Sequence, residues 1–305
     1  MGTPQAAVPT LHRLLRDGHE VMAIYTQPDR PSGRGNRVLP SPIKAAAAEN
    51  GLNVLQPTKL RTPEALDQFR SFAADAAIVV AYGRILPPDF LTAFPMGCIN
   101  VHFSLLPRYR GAAPVNWAIA NGETETGVTT MQMDEGLDTG DILLQSRTKI
   151  APHETAIDLT ERLSILGADL LSKTLSNWRN RKRQAQDDKA ASLAPILKKE
   201  DGLIDWRMPA VNIANRVRGF QPFPTAFTYL RDVRLTIWRA EAVTLERSGE
   251  SGEVLSAKGD ELTIACGGGT ALSIGELQLE GKRRLATRDV LNGISLRSGD
   301  RLGRL

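Results

Sequence analysis

Short apolar, β-branched runs alternate with helical patterns through the first 180 residues, whereas beyond residue 200 extended runs follow one another at short spacing. That change of rhythm implies two fold classes in one chain. Residues 8–17, 42–50, 63–73 and 115–121 have helical patterns, and 21–26, 76–81, 128–133 and 142–150 read as extended. Alternation of this kind is satisfied by an α/β domain, a Rossmann-like, mostly parallel sheet covered on both faces. Residues 154–179 place Leu159, Leu163, Leu166, Leu170 and Trp178 on one helical face and close that first domain at about residue 180. Residues 181–200 are charged and poor in large apolar side chains until Leu193, the composition of an exposed linker. From 201 to 305, a helix at 209–219 and extended runs at 226–230, 235–243, 252–257, 262–265 and 271–279 predict a small β-barrel.

The length of 305 residues suits two such domains. No run approaches the roughly 20 apolar residues of a membrane span, and the opening residues lack the pattern of a signal peptide, so a soluble cytoplasmic protein is expected. Cys98 and Cys266 fall in different predicted domains, which fits two reduced, buried thiols. Four histidines without paired spacing argue against a metal centre. Residues 1–180 hold 17 Lys and Arg against 18 Asp and Glu, but 181–305 hold 21 against 16. The positive excess therefore sits in the second half, where it suits a polyanionic partner.

The candidate site lies where an apolar run ends in Cys98, Ile99, Asn100, Val101, His102, Phe103 and Ser104. Side chains two apart in a strand share a face, so Asn100 and His102 emerge together. An amide NH2 and an imidazolium aimed at one point stabilise the oxyanion formed when a nucleophile attacks an acyl carbon, and a nearby carboxylate keeps the imidazole charged. The chemistry this suggests is acyl or formyl transfer; the plain alternative is a strand end whose polar groups cap local backbone. Asp138, within DEGLDTGD, is the candidate carboxylate, although Asp among glycines is also an ordinary turn former. No P-loop lysine motif occurs, and the triplet Gly267 to Gly269 lacks the order of a dinucleotide loop.

The string NVHFSLLPRYRGAAPVNWAIANGETETGVTTMQMDEGLDTGDIL closely resembles the signature of the folate-dependent formyltransferases. MGTPQAAVPTL, QPDRPSGRG, AYGRILP, DGLIDW and RVRGFQPFPTAF extend the resemblance, over essentially the whole chain, to the branch of that family acting on methionyl-tRNA. The resemblance implies that Asn100, His102 and Asp138 are catalytic and that Ser104, Leu105, Leu106 and Pro107 border the folate site. It implies 10-formyltetrahydrofolate as co-substrate without a metal, methionyl initiator tRNA as acceptor, an OB-like second domain, and action as a monomer. It further implies tRNA contacts from Arg34 in the loop 27–35, with Arg37 and Lys44 beside it, and from Lys282, Arg283 and Arg284. On composition alone that loop is a solvated surface loop and the basic run a soluble turn.

Three departures from the family pattern stand out. Phe103 replaces a small residue, and strand alternation turns it away from Asn100 and His102, so it is expected to adjust packing. Ala6 and Ala7 stand where the family tends to place Phe and Ala. Family members also place a short apolar strand before the GTP tripeptide, whereas this chain starts at Met1 and Gly2; a sheet without that strand is expected to leave buried backbone groups unpaired. Two other readings remain open. One is a formyltransferase acting on a nucleotide or amino-sugar amine, the other a tRNA-binding protein with a truncated, inactive catalytic domain.

Overall fold

The computed structural model describes residues 1–32, 37–178, 182–244 and 249–303. Backbone contacts divide the chain into two units, one of Met1–Pro114, Glu125–Lys149 and Thr160–Pro195, the other of Val115–Thr124, Ile150–Leu159 and Ile196–Leu305.

In the first unit, α1 (Val8–Arg16) buries Val8 and Leu11 and starts with Pro9 in its first turn, where a missing N–H costs nothing. After β1 (Ile24–Tyr25), β2 (Arg30–Ser32) pairs antiparallel with β3 (Arg37–Leu39). Then α2 (Pro42–Glu49) is capped by the Ser41 hydroxyl, which accepts from the Lys44 N–H at 3.3 Å. After β4 (Val54–Leu55), which runs parallel to β1, α3 (Pro63–Arg70) is capped in the same way by Thr62. The next elements along the chain are β5 (Ala77–Val79), α4 (Pro88–Leu91), β6 (Cys98–His102), α5 (Pro114–Ala120), β7 (Glu125–Gln132), β8 (Ile142–Lys149) and α6 (Ala156–Ser176), of which α5 after Pro114 and the first turn of α6 belong to the second unit. The four-stranded sheet runs β5-β6-β7-β8. Its β5–β6 pair is parallel, while β6–β7 and β7–β8 are antiparallel. Paired on both edges, β6 buries Cys98, Ile99 and Val101 almost completely, and Phe103 just beyond it packs inward as its alternation required.

Strand β1 is shorter than the run at 21–26 suggested, and the region between β1 and β5 explains why. Two residues bridge them: the Gly2 N–H donates to the Tyr25 carbonyl at 2.9 Å, and the Val80 N–H donates to the Met1 carbonyl at 2.9 Å. Beyond that bridge a cavity of about 780 Å³ is bordered by Leu11, Ile24, Tyr25, Ile78, Phe94 and Trp178. The Tyr25 hydroxyl is buried with no hydrogen-bond partner among the described residues. Below this slot, the Phe69 ring meets Tyr25 edge-on at 5.4 Å and stacks on Phe90 at 4.6 Å.

The second unit contains α7 (Ala210–Gly219), β9 (Ala226–Leu230), β10 (Val233–Val243), β11 (Val254–Lys258), β12 (Glu261–Cys266), β13 (Thr270–Leu279), β14 (Leu285–Ala286) and α8 (Thr287–Leu291). The strands form an antiparallel sheet in the order β11-β12-β13-β10-β9, with β14 on β13; the spacing predicts a small barrel, and among the described residues no ladder joins β11 to β9 to close one. A bulge near Arg239 bends the long β10–β13 pair. Trp206, Ile213, Leu235, Ile237, Ile264 and Ile274 are buried in one core cluster, each aliphatic side chain contributing roughly 1.5–3 kcal/mol. Gly267 is required by crowding and not by a nucleotide: a Cβ there would lie 1.7 Å from the Arg207 carbonyl oxygen. Both cysteines are free and buried. No described helix is long and apolar enough to cross a membrane.

Candidate active site

Strand β6 presents Asn100 and His102 on one face, and the loop between β7 and β8 brings Asp138 to them. The Asn100 amide Nδ2 lies 3.4 Å from Asp138 Oδ1, and His102 Nδ1 lies 3.6 Å from Asp138 Oδ2. The second ring nitrogen, Nε2, is 2.9 Å from the Tyr109 carbonyl oxygen. Both ring nitrogens thus face acceptors, an arrangement that the doubly protonated ring satisfies. The ring itself is buried, at 6% exposure, while Asn100 and Asp138 are only partly buried, so the trio has one edge near the surface.

Asp138 has φ +54 and Tyr109 has φ +61. Left-handed backbone costs a non-glycine residue free energy, and here it turns the Asp138 carboxylate toward β6 and the Tyr109 carbonyl toward the imidazole. The loop is tight at its base, since a Cβ at position 140 would lie 1.8 Å from the Gln132 carbonyl oxygen. Its outer residues serve the turn: Asp134 accepts from the Gly136 N–H at 3.1 Å and from the Thr139 hydroxyl at 2.8 Å.

Ser104 to Pro107 follow β6 directly. The Ser104 hydroxyl donates to the Arg108 carbonyl at 2.6 Å, and the Thr129 hydroxyl donates to the Ser104 carbonyl at 2.7 Å. Leu106 packs with Met131 and Ile142, its N–H donating to Thr129 and its carbonyl accepting from Gln145 Nε2 at 2.8 Å. Ser104 and Leu106 therefore face inward, leaving Leu105 and Pro107 as the partly exposed members of the four.

Sequence reasoning missed the residues that hold this arrangement. The Gly111 N–H donates to Asp138 Oδ2 at 2.8 Å. Buried Arg110 donates from Nε to Gln186 Oε1 at 3.0 Å and pairs with Asp188 at 2.9 Å. Gln186 in turn donates to the Asp138 and Gly140 carbonyls at 2.8 and 2.7 Å. Much of 182–195 is exposed, as its composition implied, yet it is fastened to the first unit by bridges from Gln184 to Ile142 and from Leu193 to Arg110. No local pattern announces such contacts, because every partner lies dozens of residues away in the chain.

The basic candidates divide. Arg34 lies outside the described residues, and Arg37 opens β3. Lys44 is engaged within the fold, paired with Asp29 and donating to Gln56 Oε1 at 2.7 Å. Hydrogen bonds from Lys44 and then Gln56 hold the Asp29 carboxyl below its ordinary range. Lys282, Arg283 and Arg284 form an exposed turn between β13 and β14. Arg284 there donates to Glu276 at 2.6 Å and stands 5.1 Å over the Trp238 ring, so Lys282 and Arg283 are the more available cations.

Two family models match the chain: Formyl transferase over residues 1–175, and Formyl transferase, C-terminal domain, over 196–295. A methionyl-tRNA formyltransferase of Geobacter sulfurreducens is 52% identical over 305 residues, covering 99% of this chain and 95% of that one. A solved sugar 3N-formyl transferase shares the fold, with a TM-score of 0.66 at 20% identity over 92% of this chain and 97% of its own. A methionyl-tRNA formyltransferase structure from Clostridium thermocellum shares it as well, with a TM-score of 0.54 at 22% identity over 72% of this chain and 93% of that one.

Proposed function

This chain belongs to the formyl transferase family, and on that premise we propose that it moves a formyl group from 10-formyltetrahydrofolate to the α-amino group of methionyl initiator tRNA, with Asn100, His102 and Asp138 as the catalytic residues. The observation that supports these roles best is the convergence of an amide and an imidazole on the two oxygens of one carboxylate. The free amine attacks the formyl carbon. Asn100 donates its second amide hydrogen to the oxyanion that develops on the formyl oxygen. The positive charge of protonated His102, whose two N–H groups face Asp138 and the Tyr109 carbonyl, stabilises that oxyanion through space, and Asp138 balances the charge on the imidazole. As the formyl carbon–N10 bond breaks, the attacking amine gives up a proton, which the carboxylate relays to the departing folate nitrogen.

Leu105 and Pro107 border the folate, with Ser104 and Leu106 fixing the turn beneath them. Lys282 and Arg283 on the second unit, together with Arg34 and Arg37, meet tRNA phosphates or exposed bases. Lys44 and Arg284 support those two surfaces through Asp29 and Glu276. The protein acts in the cytoplasm, where translation begins, and as a monomer.

The test is acceptor choice. Formyl-labelled 10-formyltetrahydrofolate is offered with charged initiator tRNA, with uncharged tRNA and with glycinamide ribonucleotide. Label in the charged tRNA alone is the expected result, and label in the ribonucleotide would assign a different acceptor.

A further inference from the structure

The polar contacts around Asp138 extend past the catalytic trio and end on a residue far along the chain. Arg110 lies between two residues that touch the trio. Before it, the Tyr109 carbonyl meets His102 Nε2; after it, the Gly111 N–H meets Asp138 Oδ2. On the other side of the site, the loop bearing Asp138 has no helix or strand of its own through that residue. Its backbone carbonyls at 138 and 140 both accept from a single amide, Nε2 of Gln186. That amide has only one consistent orientation. Its oxygen accepts from Arg110 Nε, which has only hydrogens to offer, so its nitrogen must face the two carbonyls.

One side chain thus ties the turn that positions His102 to the loop that positions Asp138. We propose that Gln186 is a positioning residue for formyl transfer: by bridging Arg110 to the Asp138 loop, it sets the distance between the carboxylate and the imidazole. This rests on the catalytic roles proposed above. Gln186 touches none of the reacting groups and acts through Asp138. The segment around it supports the same task. Ser192 accepts from the Tyr109 N–H at 2.9 Å and its carbonyl accepts from the Arg110 N–H at 2.8 Å, so the stretch that follows α6 braces the turn at two successive residues. A displacement of about 1 Å between acting groups is enough to cost a reaction on the order of a hundredfold.

Gln186→Met keeps the length of the side chain and removes both donors and the acceptor. It is compared with Asp138→Asn and with the double variant, in formylation of charged initiator tRNA, with thermal melting followed for each. Gln186→Met is expected to lower kcat about ten- to a hundredfold while KM for folate and for tRNA stays within about twofold and the melting point stays within a few degrees. In the Asp138→Asn background the same change is expected to lower kcat no further, since a positioning residue has nothing left to position. Unchanged kcat in Gln186→Met would overturn the inference. So would equal losses in both backgrounds, which a purely structural residue would give. Full turnover in Asp138→Asn would instead defeat the catalytic assignment itself, so the two failures are distinguishable.

Discussion

The Gly111 N–H donates to the same Asp138 oxygen that faces the His102 ring, at 2.8 Å. Gly111 has φ +119, a backbone region that side chains rarely enter, and a Cβ there would lie 2.7 Å from the Ala194 carbonyl oxygen. Gly111→Ala must therefore move the turn away from 194 and take the N–H with it. Stability is expected to drop by about 1–3 kcal/mol and turnover to drop with it. Urea unfolding and single-turnover formylation measure the two effects; an alanine variant with unchanged unfolding and turnover would contradict the geometry.

Asn100→Ala removes one preorganised donor and leaves the folate surface at Leu105 and Pro107 in place. Loss of such a donor typically costs roughly 3–4 kcal/mol in the transition state, so kcat should decrease on the order of several hundredfold. Folate affinity, read by fluorescence quenching, should hold almost unchanged. Near-normal turnover in this variant would remove Asn100 from the mechanism.

Burial pushes the Cys98 thiol up to about 12, and burial likewise pushes Cys266 to about 12. Only a thiolate is nucleophilic, so neither is available at neutral pH despite the position of Cys98 on the strand that bears the site. In the native protein at about pH 8 both thiols should resist a thiol-exchange reagent, and both should react once the chain is unfolded in urea. Rapid modification of the folded protein would show that one of the two cores opens readily.

Hydrogen bonds from Lys44 and Gln56 keep the Asp29 carboxyl ionised to lower pH than an unfolded chain would. A depressed carboxylate contributes stability above its unfolded value, and that contribution is lost as pH descends through the folded value. Lys44→Met should therefore raise the Asp29 titration midpoint, followed by carboxyl NMR shifts, and should flatten the loss of melting temperature on acidification below about pH 4. If the midpoint of Asp29 is the same in both proteins, the pair does not govern it.

What the sequence disclosed and what it concealed follow from the range of the forces involved. Ala226–Leu230 coincides with the predicted strand because both its alternation and its turns are local, and Asn100 and His102 were visible because a spacing of two is itself a statement about one face of a strand. Asp138 needed the family resemblance, since nothing near it in the chain points toward β6. Gln186 sits in a stretch whose composition describes solvent exposure truthfully and its hydrogen bonds not at all. Helix α8 and strand β14 are too short for their periodicity to register. The run at 21–26 has strand character throughout, but only Ile24 and Tyr25 are assigned as strand, because a ladder also requires a neighbour.

The cavity beside β1 leads to the last prediction. The amino group of partly buried Met1 donates to the Ile78 carbonyl at 2.7 Å and has its pKa lowered by desolvation from 8.0 to about 6. In the unfolded chain it takes up a proton below about pH 8, but in the folded protein only below about pH 6, so stability decreases as pH is lowered through that window and then levels off. A shift of that size amounts to roughly 2–3 kcal/mol. Extending the chain upstream of Met1 by four residues of alternating apolar character exchanges that amine for a peptide N–H. It also supplies side chains to the cavity and backbone partners to the facing edges of β1 and β5. The extended protein should unfold at higher urea and lose the slope between about pH 6 and about pH 8 that the 305-residue chain displays. Equal midpoints and equal slopes for the two would mean that the space between β1 and β5 does not accept a strand.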